Sequence, residues 1–279
     1  MWRFRGDDVS AARALVETAL ESGITLFDTA DIYGPDNGEP FGAAEALLGR
    51  VFAEVPSLRN RMTLATKGGI VIGTPYDSSP DYLERAIDAS LTRLGVERID
   101  LWQIHRPDIL THPHETVRTI EKMHALGKVM TFGVSNFTPA QTQAMLAAIP
   151  AHGIALSTIQ PEFSALALAP IEDGTLNLAM VHNLCPLAWS PLGQGRIAAP
   201  TDERERAVAA ALDEVAGAQG VSRTAAAYSW IMAHPARPIP IVGSQQAGRI
   251  REAADAYKVE WTRAAWYKVL IASRGEPLP

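Results

Sequence analysis

Four side chains that can hold charge or move protons stand at the ends of three successive apolar runs. Asp28 closes Ile24–Asp28, and Tyr33 follows five residues later. Lys67 closes Met62–Lys67, and His105 directly follows Asp100–Ile104. Taken singly, each has an ordinary reading. A strand-end Asp caps a turn, a Tyr in a Gly/Pro loop packs, a Lys after an apolar run reaches solvent, and a lone His is structural. Those readings do not explain an acid, a phenol, an amine and an imidazole at consecutive run ends. A phenol, with a reference pKa near ~10, is a poor acid at neutral pH. An adjacent ammonium such as Lys67 favours the phenolate and makes the phenol a better donor. Asp28 would keep that lysine charged and in place, and His105 can donate to a carbonyl oxygen. Such a set polarises a C=O and protonates the developing alkoxide. No side chain supplies a hydride, so a nicotinamide cofactor is implied.

The elements that must position these groups are legible as an alternation. Seven β-rich runs are present: Ile24–Asp28, Met62–Lys67, Asp100–Ile104, Val129–Val134, Ala155–Gln160, Pro186–Ser190 and Pro238–Val242. Most are continuously apolar, as strands buried on both faces should be. Amphipathic helical patterns lie between them. Ser10 to Leu20 is one, ended by Gly23. Ser79-Pro80 opens another, with Leu83, Ile87, Leu91 and Leu94 on one face and Gly95 at its end. Thr138-Pro139-Ala140-Gln141 is a capping box. Two helices, Glu203–Gln219 and Ser222–Ala233, fill the gap before the last run, and Thr262–Ser273 follows it. Strand–helix alternation means parallel strands with crossover helices. Met1–Phe4 reads as the remnant of an eighth, first strand. Eight would close a (β/α)8 TIM barrel, which needs ~250 residues and builds its site at the C-terminal strand ends. With 279 residues and no linker or low-complexity stretch, residues 1–279 are expected to form one domain with extra helices.

Composition narrows the partners. Apolar residues are 47% and charged residues 20%, which is ordinary for a globular chain. The net charge of −6 argues against a broad nucleic-acid surface. No run approaches the ~18 uncharged apolar residues of a membrane span. The first eight residues have no apolar core and so are no signal peptide. The single cysteine, Cys185, excludes an internal disulfide framework. A cytoplasmic location is the expectation, and the sequon form of Asn136-Phe137-Thr138 then has no use. His112 and His114 lie close together but lack a third ligand nearby, so they are expected to cap or decorate a loop, and no metal is implied.

The motifs together resemble the aldo-keto reductases. They are Gly23-Ile24-Thr25-Leu26-Phe27-Asp28-Thr29-Ala30-Asp31-Ile32-Tyr33-Gly34, Thr66-Lys67, Ile104-His105-Arg106-Pro107-Asp108, Gly127-Lys128-Val129 leading to Phe132-Gly133-Val134-Ser135-Asn136-Phe137, and Ala188-Trp189-Ser190-Pro191-Leu192-Gly193. They run in order across nearly the whole chain. The His-Arg-Pro-Asp form, with Asp173-Gly174-Thr175-Leu176, is similar to a bacterial oxidoreductase branch. The resemblance implies a catalytic tetrad of Asp28, Tyr33, Lys67 and His105. It implies that Ser135, Asn136 and Gln160 contact the nicotinamide carboxamide and that Trp189 stacks on the ring. Ser190, Leu192, Gly193, Gln194, Gly195 and Arg196 would wrap the pyrophosphate. Gly243, Ser244, Gln245 and Arg249 would take the adenosine phosphate, a simple helix cap being the plainer reading of Ser244. Trp2 would sit near the cofactor. The implied reaction is hydride transfer from NADPH, or alternatively NADH, to a small aldehyde or ketone, with a tyrosine donating the proton.

There are departures from the family pattern. The family's N-terminal hairpin and most of its first strand are not in the sequence, so the barrel is expected to lack that plug. Gly243 stands where a Lys is usual, and Ala253 where an Asn is usual; both weaken the grip on a 2′-phosphate, while Ser244 and Arg249 still favour NADPH. Gly193-Gln194-Gly195-Arg196-Ile197-Ala198 matches a loose dinucleotide fingerprint after a strand but runs into Ala199-Pro200, so it is set aside as such a motif. Two other functions fit parts of the set. One is a Schiff-base barrel aldolase using Lys67; the other is an NADPH-binding regulatory subunit with little turnover. The loops at 106–113 and 191–201 and the tail at 272–279 are short, which suits an open, permissive site. The physiological substrate and the oligomeric state are not encoded legibly.

Overall fold

The computed structural model describes residues 4–151 and 153–278. Two compact units divide the chain, Met1–Gln160 and Pro161–Pro279. The first alternates helix and strand throughout: α1 Val9–Glu21, β1 Leu26–Asp28, α2 Ala43–Glu54, β2 Thr63–Gly68, α3 Pro80–Leu94, β3 Ile99–Ile104, α4 Pro113–Ala125, β4 Val129–Ser135, α5 Pro139–Ala148 and β5 Leu156–Gln160. Its five strands pair in sequence order, and every pair is parallel. Their interior residues are buried on both faces, which is why the sequence shows apolar runs rather than alternation. Gly133 makes the β4–β5 contact possible. A Cβ there would lie 1.9 Å from the Thr158 hydroxyl oxygen, and the register shifts at Phe132/Gly133.

Local chemistry sets the helix starts. The Thr138 and Gln141 side chains form the capping box expected for α5. His112 accepts from the His114 N–H and shares a capping box with Glu115 at α4, so the two histidines are a helix start. Ser79 precedes Pro80 as read, but its side chain makes no cap hydrogen bond; its own N–H instead donates to Asp77. Gly95 ends α3 in the left-handed region at φ 63.

The second unit holds α6 Ala169–Glu172, α7 Thr175–His182, β6 Cys185–Ala188, α8 Glu203–Gln219, α9 Arg223–Met232, β7 Ile239–Pro240, α10 Ala247–Ala253 and α11 Arg263–Arg274. β6 and β7 are parallel neighbours. Its core gathers Phe163, Val208, Leu212, Trp230 and Val269. Trp230 and Trp266 stack 4.9 Å apart, and each indole N–H donates to the other's carbonyl, at 3.1 and 3.0 Å.

Several boundaries differ from the sequence reading. β1 begins at Leu26 rather than Ile24, and β7 keeps only Ile239–Pro240 of the run Pro238–Val242. Ladder pairing ends where the partner strand ends, which hydropathy does not report. β6 starts at Cys185 and stops at Ala188, because Ser190 turns the chain at φ 49. Of the expected first strand Met1–Phe4, only Phe4 is described; it is buried and not in a strand. The position assigned to Trp2 lies outside the described residues.

Candidate active site

Parallel pairing brings the chemical groups to one edge of the first unit. Asp28 is the last residue of β1, Lys67 the penultimate of β2, and His105 the first beyond β3; registers Asp28↔Ala65 and Lys67↔Gln103 align these ends. The Lys67 ammonium donates to Asp28 Oδ2 and to the Thr29 carbonyl, both at 2.7 Å. The other Asp28 oxygen accepts from Gln103 Nε2 at 2.9 Å and from Gln160 Nε2 at 3.1 Å. Lys67 Nζ lies 5.2 Å from the centroid of the Tyr33 ring, and the His105 ring meets that ring edge-on at 5.8 Å. All four members of the expected tetrad are thus brought together, and all are buried.

Burial by itself pushes the Lys67 amine toward the neutral form. The charge of Asp28 and the phenol of Tyr33 outweigh that, so its pKa stands above the ordinary lysine value. The side chain is therefore an ammonium at neutral pH. A Schiff-base lysine needs the opposite arrangement, a desolvated amine kept neutral. The aldolase reading of Lys67 is disfavoured on this ground.

Sequence reasoning missed the groups that hold this set. Gln103 lies on β3, two residues before His105, inside a largely apolar run; that polar residue on a buried strand was the available signal. Behind β1 and β2 sits a second polar layer. Glu45 on α2 accepts from Thr66 at 2.5 Å and Ser90 at 3.2 Å, and pairs with Arg93 at 2.7 Å. Asp31 belongs to the same layer. It is 1% exposed and accepts a long 3.4 Å bond from the Tyr82 hydroxyl.

The expected cofactor residues fall in both units. In the first, Ser135 Oγ donates to the Gln160 carbonyl, and Asn136 Nδ2 donates to the His105 carbonyl and to Ser135 Oγ. The three are therefore linked to each other and, through Gln160, to Asp28. One N–H of the Gln160 amide is engaged with Asp28. In the second unit, Trp189 is half-buried, its N–H donates to the Pro161 carbonyl, and its carbonyl accepts from Phe163. Ser190, Gly193, Gln194 and Gly195 all have positive φ. For Ser190 and Gln194 this is uncommon backbone of the kind found at ligand sites. A Cβ on Gly195 would meet nothing within 4 Å, so the main chain there is open to a close-lying anion. The N–H groups of Gly193, Gly195 and Arg196 close turns within the loop instead of pointing outward as a cradle. Arg196 is exposed, and its Nε donates to the Gly193 carbonyl. Gly243, Gln245 and Arg249 are exposed, and Leu192 is half-buried. Ser244 Oγ accepts from the Gln246 N–H, the turn role that was its plainer reading. Among the described residues no cluster of His, Cys, Asp or Glu can hold a metal, and no helix is long and apolar enough to cross a membrane.

The sequence profile of the Aldo/keto reductase family matches residues 1–269. The chain belongs to the aldo-keto reductase family. It is 57% identical over 281 residues to a 6-dehydroglucose reductase of Novosphingobium aromaticivorans, covering 100% of this chain and 91% of that one. A 6-dehydroglucose reductase of Agrobacterium fabrum is 35% identical, over 99% of this chain and 93% of its own length. Among solved structures, a glycerol dehydrogenase from Gluconobacter oxydans superposes with a TM-score of 0.84 at 29% identity, over 100% of this chain and 90% of its own. The fold is the (β/α)8 barrel of aldo-keto reductases, and the chain is an oxidoreductase of this family, whose members use NAD(P)H.

Proposed function

We propose that this aldo-keto reductase reduces an aldehyde or ketone carbonyl with NADPH and that Tyr33 donates the proton. The reading is carried by Lys67, a fully buried ammonium held between the Asp28 carboxylate and the Tyr33 ring. The cofactor, when bound, supplies a hydride to the carbonyl carbon. The chain's own part is to hold the carbonyl oxygen and to deliver a proton to it. Tyr33 O–H donates to the oxygen as charge develops there. The Lys67 ammonium stabilises the phenolate left behind, and Asp28, fixed by Gln103 and Gln160, keeps Lys67 charged and aimed. His105, edge-on to Tyr33, is placed to orient the carbonyl. Ser135, Asn136 and Gln160 are assigned to the carboxamide, Trp189 to the nicotinamide ring, and Ser190, residues 192–196, 243–245 and 249 to the phosphates. The Ser244 hydroxyl accepts from the Gln246 N–H and keeps its own O–H to donate, so Ser244 and Arg249 together are assigned to favour the 2′-phosphate. We assign one domain to residues 1–279 and a cytoplasmic setting.

The two relatives named as 6-dehydroglucose reductases suggest a sugar aldehyde as the substrate class to try first. The test is NADPH consumption against a panel of sugar aldehydes and small ketones, with Tyr33→Phe alongside. The variant is expected to lose roughly 10²–10⁴-fold in kcat while still binding NADPH, the range for a positioned proton donor. A variant that keeps wild-type kcat would move the proton-donor role to another group. No NADPH consumption by the wild type with any carbonyl compound would favour the regulatory-subunit reading.

A further inference from the structure

Asp31 lies two residues before Tyr33, and the segment between them is tied to β2. The Thr29 N–H donates to the Ala65 carbonyl and the Asp31 N–H to the Lys67 carbonyl, at 2.9 and 3.0 Å. The backbone thus continues the β1–β2 ladder past the end of β1, and the Tyr33 N–H then closes a turn onto Ala30. Whatever fixes Asp31 also fixes the approach of Tyr33 to Lys67.

The Asp31 side chain is buried in a layer that has no cation to spare. From α2 it is faced by Glu45, and from α3 by Arg93 and Tyr82. Arg93 already pairs with Glu45 at 2.7 Å. Lys67, on β2, is bound to Asp28 and to the Thr29 carbonyl. Among the described residues, the surroundings of Asp31 supply only the long Tyr82 bond and the Ile32 N–H, and Asp31 Oδ1 has no hydrogen-bond partner. Across Gly68, where a Cβ would lie 3.0 Å from Asp31 Oδ2 and 2.6 Å from the Trp102 ring, the indole N–H of Trp102 is buried without a partner as well. A buried carboxylate beside a second carboxylate, with the nearby guanidinium committed elsewhere, is strongly disfavoured.

We propose that Asp31 works as a neutral carboxylic acid and is a positioning residue for Tyr33, so that its ionisation drives it from Glu45, displaces the loop and stops carbonyl reduction. This rests on the proposed role of Tyr33 as proton donor. The leverage is geometric. A reacting group misplaced by ~1 Å loses on the order of 10²-fold in rate, and Asp31 is joined to Tyr33 by a short, tightly bonded segment. Burial and the Glu45 charge raise the Asp31 pKa to about 8, which puts the transition in an accessible range.

The experiment compares wild type with Asp31→Asn, using NADPH and glyceraldehyde, from pH 6 to pH 10. The amide keeps the shape of the acid and cannot ionise. At pH 7 the variant is expected to hold kcat and KM close to wild type. At pH 9 it should turn over about tenfold faster than wild type, because one pH unit above a pKa of about 8 leaves roughly a tenth of Asp31 protonated. A folded variant that loses most of its kcat at pH 7, or falls with pH alongside wild type, overturns the proposal. An independent arm needs no turnover. Carboxyl ¹³C resonances of labelled aspartates should show one titrating near pH 8, absent in Asp31→Asn and moved to lower pH in Glu45→Gln, which removes the repulsion and frees Arg93. Absence of such a resonance, or no shift in Glu45→Gln, also overturns it. Because this arm reads Asp31 directly, it holds even where glyceraldehyde is no substrate, which would count against the reading of the reaction alone.

Discussion

The strand ends of the first unit and the core of the second unit are both buried, yet they are built on opposite terms. At the first, an aspartate, a lysine, two glutamines and a tyrosine lie beneath the surface, and the Asp28–Lys67 pair is held by hydrogen bonds to the Thr29 carbonyl, Gln103 and Gln160. In the second, Phe163, Trp230, Leu212 and Val269 fill space with apolar surface, and the polar atoms of Trp230 and Trp266 satisfy each other. Buried ion pairs contribute little net stability and lose much when one partner goes. Packed aromatics stabilise through area and density. The two regions therefore separate what the molecule needs for chemistry from what it needs to stay folded.

The largest expected effect breaks the ion pair on one side. Asp28→Leu or Lys67→Met alone leaves a buried charge unpaired and should destabilise the fold by about 3–5 kcal/mol, with activity lost. The double variant removes both charges and should recover most of that stability while remaining inactive. Chemical denaturation of the three variants reads this directly. If the double variant is as unstable as the singles, the pair holds the fold rather than the chemistry.

Trp230→Ala sharpens the other side. Trp230 is fully buried and stacked, and its loss should cost about 3–5 kcal/mol through the cavity left behind. The rate per folded molecule should stay unchanged. A fall in kcat at full folding would mean that the second unit's core does more than support.

A smaller effect distinguishes the regions by pH. Asp31 has a folded pKa raised from 3.8 to about 8, so its share of stability is full below pH 3.8 and is lost as pH rises to about 8. His234, half-buried at the end of α9, has a folded pKa lowered from 6.5 by burial. Its share is present above pH 6.5 and is lost as pH falls through the folded value. His234→Gln should flatten the acid side of a melting-temperature profile and leave the alkaline side alone. Flattening on the alkaline side would contradict the assignment.

Much of this was readable in the residues. The apolar runs located all seven strands, because strands of a parallel sheet are covered on both faces. The Thr138/Gln141 box was visible because capping needs only local residues at fixed spacing. The ends of β1 and β7 were not, because ladder length depends on the partner. A helix between β1 and β2 followed from the alternation, but the bounds of α2 were not legible, since Ala43 follows a Gly/Pro stretch and its N-cap, Gly42, offers no side chain to read. Ser244 was readable as a phosphate contact or as a cap; its hydroxyl accepts from the Gln246 N–H, and a hydroxyl, being donor and acceptor at once, serves either role.

The order of Asp28, Tyr33, Lys67 and His105 along the chain, each beside an apolar run, was enough to name a chemistry of acid, phenol, ammonium and imidazole. Spacing along a chain carries no distance between strands. That the Lys67 amine lies 2.7 Å from Asp28 follows from the β1–β2 register, and that Gln103 and Gln160 share the other oxygen follows from strands far apart in sequence. Asp31 shows the division most plainly. In the sequence it is one more acid in a loop; only burial beside Glu45, with Arg93 already committed, makes it a group that resists ionisation. Residue type sets what a side chain can do, and tertiary packing sets the dielectric and the neighbours that decide which form it takes.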